Sequence, residues 1–208
     1  MIRAAFLESA EAAVGLLRQP ALAERWSEPS ALPDFSTSGL ARHLANQITN
    51  TASYLAATPG GSAISVLDHF TGNGWVTSGT DSADNIEIRH RSEQAATATT
   101  PERLADDVDA ALRELRAAVP AQPADRIVDL GNWGLTVDDF LLTRVMELVV
   151  HADDLAVSLG IPTPPMPQAA TEATIQLLSR IAAWRHGPLA VIRALARQER
   201  APASIAAL

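Results

Sequence analysis

The chain has 208 residues, of which 47% are hydrophobic, and its 16 basic and 24 acidic residues give a formal net charge of -8. This length suits one domain, or one domain with a small appendage. This net negative charge disfavours non-specific electrostatic binding to nucleic acid or anionic lipid. Cysteine is absent, which excludes disulfides, cysteine-type zinc sites and a protein thiol nucleophile. Any thiol chemistry must therefore use a thiol from outside the chain.

The N-terminal segment carries Glu8 and Glu11 within its apolar pattern, which predicts a mature helix and not a signal peptide. No stretch of the sequence approaches the length of an uncharged membrane span. We therefore expect a cytoplasmic protein with neither a membrane nor a nucleic acid as partner.

Apolar residues recur with a helical period through most of the chain, and alternating β patterns are few, so the sequence predicts an all-α fold. Prolines, glycines and capping side chains mark the helix ends. Ser36 or Ser38 can cap the second helix, and the fifth is expected to stop at Pro120. In chain order, the predicted helices span about residues 2–19, 36–58, 64–70, 82–98, 101–119, 137–159, 168–186 and 188–198.

The segments between these helices carry the signals of loops. A proline-marked loop is expected from Pro20 through Pro33, and a loop bearing Trp75 is expected before residue 82. Residues 126–135 contain two glycines and predict a loop with a short extended hairpin.

The predicted helix 137–159 is apolar nearly all round, yet it carries one polar stripe. At about 100° per residue, one arc of this helix holds Phe140, Arg144, Glu147, His151, Asp154 and Ser158. Burying such charged groups costs several kcal/mol unless each is paired, hydrogen-bonded or bound to a metal. Glu147 and His151 stand four residues apart, so their side chains lie one helical turn apart and can bind one ion.

His43 is the candidate third ligand, because it lies midway along the predicted helix 36–58 among apolar neighbours. Gln47 lies on the same stripe of that helix. A set of two histidines and one glutamate leaves a metal position open for water or substrate, as in a catalytic zinc site and not a structural one. A metal-free hydrogen-bonded pair, or two surface neighbours, is the alternative, and the spacing of Glu147 and His151 by itself favours it.

Further residues have candidate roles at such a site. Asp154 either hydrogen-bonds to His151 and orients that ligand without binding the metal itself, or only compensates an unpaired charge. Arg144 is a candidate cavity residue, and it is preferred over Trp75 and Trp133 because tryptophans in such positions are more often core residues.

The remaining histidines and two arginines are interpreted as solvated, since they lie beside loops or charged residues. His90 and His186 belong to this group, and His69 is either solvated or lines a pocket. Arg89 and Arg91 could hold an anionic substrate, but a solvated helix face is the preferred interpretation.

Two segments of the chain resemble a known family. One is GLARHLA at residues 39–45, which follows Trp26 and Leu32-Pro33, and the other is residues 143–156, with the spacing R-x-x-E-x-x-x-H-x-x-D. Over about residues 1–160, the chain resembles the mycothiol-dependent maleylpyruvate isomerase family of the DinB-like superfamily.

This resemblance implies a fold and a ligand set. The fold is a DinB-like four-helix bundle at residues 1–160, with a short helical extension at residues 161–208 that packs on the bundle. The ligands are His43, Glu147 and His151, the metal is zinc or another divalent ion, and the thiol cosubstrate is mycothiol.

The resemblance also implies a chemistry, because members of the family use zinc to bind and deprotonate mycothiol, whose thiolate then attacks an electrophilic carbon. Isomerase members carry a larger C-terminal domain, whereas this chain has about 48 residues after Gly160. A mycothiol S-transferase acting on an electrophilic small molecule is therefore the first expectation, with Arg144 as an anchor for substrate charge.

The alternatives are a cis-trans isomerase of the maleylpyruvate type and a non-catalytic module that binds a small ligand. The sequence is compatible with a monomer and with a homodimer.

Overall fold

The computed structural model describes residues 1–72 and 83–208 of the chain, and helices dominate both ranges. The first half contains α1 (Ile2–Leu17), α2 (Pro20–Glu24), α3 (Thr37–Ala56), α4 (Val66–Thr71) and α5 (Ala83–Ala96). The second half contains α6 (Pro101–Ala121), the strands β1 (Ile127–Asp129) and β2 (Gly134–Thr136), then α7 (Val137–Leu159), α8 (Gln168–His186), α9 (Pro188–Ala196) and a 3-10 turn at Gln198–Arg200. The all-α class expected from the sequence is confirmed.

Four long helices form the bundle at the centre of the fold. Helices α1 and α3 each pack against both α6 and α7, which closes a ring of four helices. Their apolar stripes meet inside the ring, where the largest buried side chains include Phe6, Leu17, Leu40, Leu44, Leu104, Leu115, Phe140 and Leu141. Burial of these stripes is the main stabilising term of such a bundle.

A second apolar cluster lies outside the bundle, against α7. It joins α4, α7, α8, α9 and the C-terminal tail through Val66, Phe70, Met146, Leu177, Ile181, Ala182, Val191 and Ala207. The segment after α7 is thus packed onto the bundle through side chains of its own. The division into residues 1–160 and 161–208 remains a prediction.

Helix ends follow the capping residues read from the sequence. The hydroxyls of Ser36, Thr100 and Thr136 accept hydrogen bonds from backbone N–H groups in the first turns of α3, α6 and α7. Ser36, and not Ser38, is therefore the cap of α3. Gly160 ends α7 with φ of 68°, a left-handed conformation that glycine adopts without steric cost.

Two expectations about prolines were wrong. Residues Pro20–Glu24 form the short helix α2 where a loop was expected, because proline at the first helical position has its φ already set and gives up an N–H that needs no helical partner. Helix α6 continues through Pro120 to Ala121 instead of stopping. Pro120 lies in the last turn, where the loss of one backbone hydrogen bond interrupts little helix.

The expected hairpin at residues 126–135 is present as β1 and β2, which pair antiparallel with Val128 opposite Leu135. Thr136 at the end of β2 is followed directly by Val137 of α7, so the hairpin holds Trp133 close to the first turns of that helix. The loop bearing Trp75, and the predicted helix start at residue 82, lie outside the described residues. No helix of the described ranges is long and apolar enough to cross a membrane.

Glu93 of α5 accepts hydrogen bonds at the N-terminus of α3, the helix that carries His43. Its carboxylate oxygens accept hydrogen bonds of 2.7 Å from the backbone N–H and the hydroxyl of Ser36. The negative charge also suits the positive end of the α3 dipole. Gly39 leaves the space for this carboxylate, because a Cβ atom at that position would overlap it.

Gly39→Ala is therefore expected to displace the Glu93 carboxylate and to lower the free energy of unfolding by about 1 to 3 kcal/mol, the range for losing hydrogen bonds to a charged group. Gly15→Ala is the matched control, since nothing lies within 4 Å of a Cβ atom there. In the interior of α1 it should stabilise the chain by about 0.5 to 1 kcal/mol. Urea unfolding followed by circular dichroism measures both changes, and equal effects in the two variants would contradict the role of Glu93.

Candidate metal centre

Helices α3 and α7 bring His43, Glu147 and His151 together between them. The Oε2 atom of Glu147 lies 3.2 Å from Nε2 of His43 and 3.1 Å from Nε2 of His151. The two imidazole rings meet edge to face, with their centroids 4.7 Å apart. All three side chains are mostly buried, with 16 to 19% of each exposed. We call this group the candidate triad.

Asp154 lies behind the candidate triad. Its Oδ2 atom is 2.9 Å from Nδ1 of His151, so the far side of that ring is held by a carboxylate. A carboxylate that accepts the N–H of Nδ1 leaves Nε2 as the nitrogen lone pair available to an ion. Of the two roles considered for Asp154, the geometry favours the orienting one.

The protonation of the candidate triad follows from its contacts. Burial by itself raises the pKa of Glu147, but hydrogen bonds from His151 and His43 and their positive charges hold that pKa well below its usual range. Burial by itself lowers the pKa of His151, but the hydrogen bonds to Asp154 and Glu147 outweigh it and raise the pKa to about 9. With no ion bound, Glu147 is therefore ionised at neutral pH, and the imidazole of His151 is protonated and positively charged between the carboxylates of Glu147 and Asp154.

The donor atoms of the candidate triad suit one divalent ion. One ligand atom from each residue lies within 4.8 Å of the others. Two atoms that bind a tetrahedral zinc at about 2.0 to 2.1 Å stand roughly 3.3 Å apart, close to the two separations measured to Glu147. Two histidines and one carboxylate are also a ligand set of catalytic zinc sites, in which a further position stays open. The residues therefore fit a zinc ion.

Arg144 stands one helical turn before Glu147, and its partners are neutral. Its Nη1 donates to Oε1 of Gln47 at 2.7 Å, and its Nε donates to Oγ1 of Thr143 at 3.0 Å. Its guanidinium carbon lies 5.3 Å from the centre of the Phe140 ring. Burial lowers the pKa of Arg144, and the negative charge of Glu147 opposes the shift, but a guanidinium keeps its proton in proteins.

Gln47 links Arg144 to the helix of the candidate triad. It is 4% exposed, its amide nitrogen donates to the backbone carbonyl of His43 at 2.9 Å, and the same nitrogen is 3.5 Å from Nε2 of His43. Gln47 lies on the stripe of His43 in the sequence, but no role was expected for it. Its position one helical turn after His43 was the available signal, but its partner Arg144, 97 residues away, could not be found from the sequence.

His69 and Trp133 form a hydrogen-bonded pair near Arg144. The indole N–H of Trp133 donates to Nδ1 of His69 at 3.0 Å. Because an indole nitrogen can only donate, this bond requires Nδ1 of His69 to be unprotonated. Burial, and then the positive charge of Arg144, lower the pKa of His69 to about 4, although Glu147 opposes the shift. The solvated interpretation of His69 is thus wrong, because its ring is partly buried and accepts this hydrogen bond, while a role in lining a pocket remains a prediction.

The imidazole of His69 is expected to stay neutral down to a pH of about 4. Trp133→Phe removes the indole donor and should raise this pKa, since Nδ1 can then take a proton. The folded pKa is below the unfolded value of about 6.5, so His69 favours the folded state above that value, and its contribution is lost as the pH falls from about 6.5 to about 4. NMR titration of the ring, assigned with His69→Gln, measures the shift, and an unchanged titration in Trp133→Phe would contradict the tautomer.

The other candidates lie away from the candidate triad. His90 and His186 are exposed, and so is Arg91, as expected. The solvated interpretation was wrong for Arg89, whose side chain is only 15% exposed and lies 3.8 Å from Asp34. Trp75 falls outside the described residues.

The fold and its centre define a class of protein: a four-helix bundle that presents two histidines and a glutamate between two of its helices. The chain belongs to the family described as the mycothiol maleylpyruvate isomerase N-terminal domain, whose model matches residues 6–156. The resemblance noted in the sequence is thereby confirmed. No curated protein and no solved structure matches the chain.

Proposed function

We propose that this protein is a zinc-dependent enzyme that joins mycothiol to an electrophilic small molecule, a thiol S-transferase. The observation that carries the proposal is the candidate triad, three donor atoms of zinc-binding type placed together by two helices of a chain that belongs to a mycothiol-related family. The absence of cysteine from the sequence adds support, because the nucleophilic sulfur must then come from a separate thiol.

In such an enzyme, the candidate triad, Asp154 and Arg144 would each have a different role. His43, Glu147 and His151 would hold the ion, and a bound zinc ion supplies a Lewis acid that lowers the pKa of a thiol or water. Asp154 keeps the ring of His151 in one orientation through the 2.9 Å contact at Nδ1. Arg144 offers a positive charge one helical turn from Glu147, where it can hold a negatively charged group of the electrophile.

Isomerisation of the maleylpyruvate type is the second candidate, and the family description favours it. In that reaction the thiol adds to a double bond and leaves again after rotation, so that no thiol is consumed. A transferase instead leaves the sulfur bonded to the product. The two reactions therefore differ in thiol balance and share the demands on the candidate triad.

The test supplies the zinc-loaded protein with mycothiol and, in separate reactions, with small alkyl halides, α,β-unsaturated carbonyl compounds and maleylpyruvate. Mass spectrometry of the products and a free-thiol assay record the outcome, with His151→Ala and chelator-treated protein as controls. A thioether that forms only with metal and intact His151 supports the transferase. An isomer with all thiol recovered supports the isomerase. No metal-dependent turnover of any substrate would rule out both and leave a module that binds a small ligand.

A further inference from the structure

Helix α8 presents a row of exposed side chains on the side that faces away from the bundle. Its other side is buried against α1, α4 and α7. The exposed row consists of residues spaced four apart, which we call the α8 stripe: Gln168, Glu172, Gln176, Arg180 and Trp184. Side chains four apart are neighbours on a helix, so the α8 stripe forms one continuous surface about 24 Å long.

Large apolar side chains lie on the α8 stripe and beside it. They are Trp184 and Ile175 of α8 and Ile192 and Leu195 of α9, each between 46 and 75% exposed. Helix α9 packs on α8 and borders the α8 stripe, since Leu195 lines the same groove as Ser179. Exposed apolar side chains gathered on one surface are typical of a contact with another macromolecule.

The α8 stripe carries one negative and one positive charge that are not neutralised within the described part of the chain. Glu172 accepts a hydrogen bond of 2.7 Å from the neutral amide of Gln168. Neither Glu172 nor Arg180 forms an ion pair with any residue in the ranges 1–72 and 83–208. Eight residues separate the two charges, about 12 Å along the helix axis, which is beyond the spacing of three or four residues at which side chains pair on one helix.

The two charges are placed symmetrically, because Glu172 and Arg180 stand four residues to either side of Gln176. If two copies of α8 pack antiparallel around a two-fold axis at Gln176, Arg180 of each copy lies opposite Glu172 of the other. A two-fold interface requires a surface that is complementary to itself in this way. Parallel packing in register would instead bring like charges together, and an anionic lipid surface would be repelled by Glu172 and by the net charge of -8.

We propose that the protein forms a two-fold symmetric dimer in which the α8 stripes of two copies pack antiparallel, with α9 of each copy at the margin of the interface. The partly exposed Ala169, Ala173 and Ala183 lie along the same side of α8, and their small size lets the two helices approach closely. A single helix row buries less than the roughly 800 Å² per partner of a standard interface, so the dimer is reversible, with a Kd in the micromolar range. None of these residues belongs to the candidate metal centre, so this inference is independent of the proposed function.

Sedimentation velocity of the full chain across the micromolar range tests the dimer. Wild type is expected to shift from the mass of one chain to the mass of two as the concentration rises. Arg180→Glu and Glu172→Arg should each raise the Kd by about 10- to 30-fold, because either change replaces two attractive pairs of the dimer with two repulsive ones. Arg103→Glu, which reverses the charge of an exposed arginine on α6, is the matched control and should leave the Kd unchanged.

Mixing the two charge variants tests the antiparallel arrangement itself. A copy with Glu172→Arg carries two positive charges on its α8 stripe, and a copy with Arg180→Glu carries two negative ones. An equimolar mixture should therefore form a one-to-one dimer about as tight as wild type, although neither variant associates with itself at the same concentration. Recovery of association also shows that both variants are folded.

A cross-link tests the position of the axis, since the chain has no cysteine of its own. Gln176→Cys should form a disulfide between two copies on air oxidation, much faster than Gln94→Cys at an exposed position of α5; a non-reducing gel measures both rates. A wild type that stays monomeric throughout the micromolar range would overturn the dimer. A dimer that both charge variants leave intact, or a mixture that does not restore association, would overturn the antiparallel α8 interface, as would equal cross-linking of the two cysteine variants.

Discussion

Replacing His151 with alanine is expected to abolish retention of zinc by the purified protein, and activity with it, while leaving the helical content largely unchanged. The candidate triad offers three ligand atoms, and two are too few for a tightly held zinc ion. The bundle should tolerate the change, because its core is built from the apolar stripes of α1, α3, α6 and α7. Elemental analysis and circular dichroism measure the two properties.

Matched variants sharpen this prediction. His43→Ala and Glu147→Ala should lose zinc in the same way, whereas His186→Ala, at an exposed position, should retain about one ion per chain. Full zinc stoichiometry in His151→Ala would show that the site is wrongly placed. A wild type that takes up no zinc would remove the metal-dependent mechanism altogether.

Asp154→Asn should weaken zinc binding by about 10- to 100-fold without abolishing it, the usual effect of changing a group that orients a ligand. The asparagine oxygen can still accept from Nδ1 of His151, but it lacks the negative charge. A loss as complete as that of His151→Ala would identify Asp154 as a ligand in its own right.

Phe140→Ala is expected to lower the free energy of unfolding by about 3 to 5 kcal/mol, the usual cost of truncating a buried phenylalanine. The side chain is 1% exposed, its ring packs edge to face on Tyr54 with centroids 5.4 Å apart, and Arg144 lies over it. Truncation leaves a cavity between α3 and α7 and removes the surface under the guanidinium. Urea unfolding followed by circular dichroism measures the loss.

Two controls identify the cause of the Phe140 effect. Val157→Ala truncates a side chain on the same helix that is 59% exposed, and it should change stability by no more than about 0.5 kcal/mol. Phe140→Leu keeps most of the apolar volume and should cost clearly less than the alanine variant. A loss below about 1 kcal/mol in Phe140→Ala would mean that the bundle repacks around the site.

The loss of zinc in His151→Ala and the loss of stability in Phe140→Ala arise from different faces of α7. The inward face of α7 supplies Leu141, Leu148 and Leu155 to the bundle core, and the adjoining stripe supplies Arg144, Glu147 and His151 to the site. Variants of the stripe should therefore change binding with little effect on folding. Phe140 belongs to both, which is why its loss is expected to affect stability and the setting of Arg144 together.

Sequence alone was sufficient for the features that depend on neighbouring residues. Helical periodicity, capping hydroxyls and the glycine after α7 act over one or two turns, so most helices and the α3 and α7 starts were predicted within a few residues. The pairing of Glu147 with His151 is likewise a matter of spacing along one helix. His43 could be named because an imidazole among Leu40, Leu44 and Ile48 is out of place without a partner.

Tertiary structure decided everything that joins distant segments. The packing of α3 on α7 sets the 3.2 Å between His43 and Glu147, joins Gln47 to Arg144, and buries Phe140 beneath the guanidinium. The hairpin before α7 brings Trp133 onto His69, 64 residues earlier. Local pattern carries no record of these contacts, because their geometry depends on how whole helices settle against one another to bury their apolar faces.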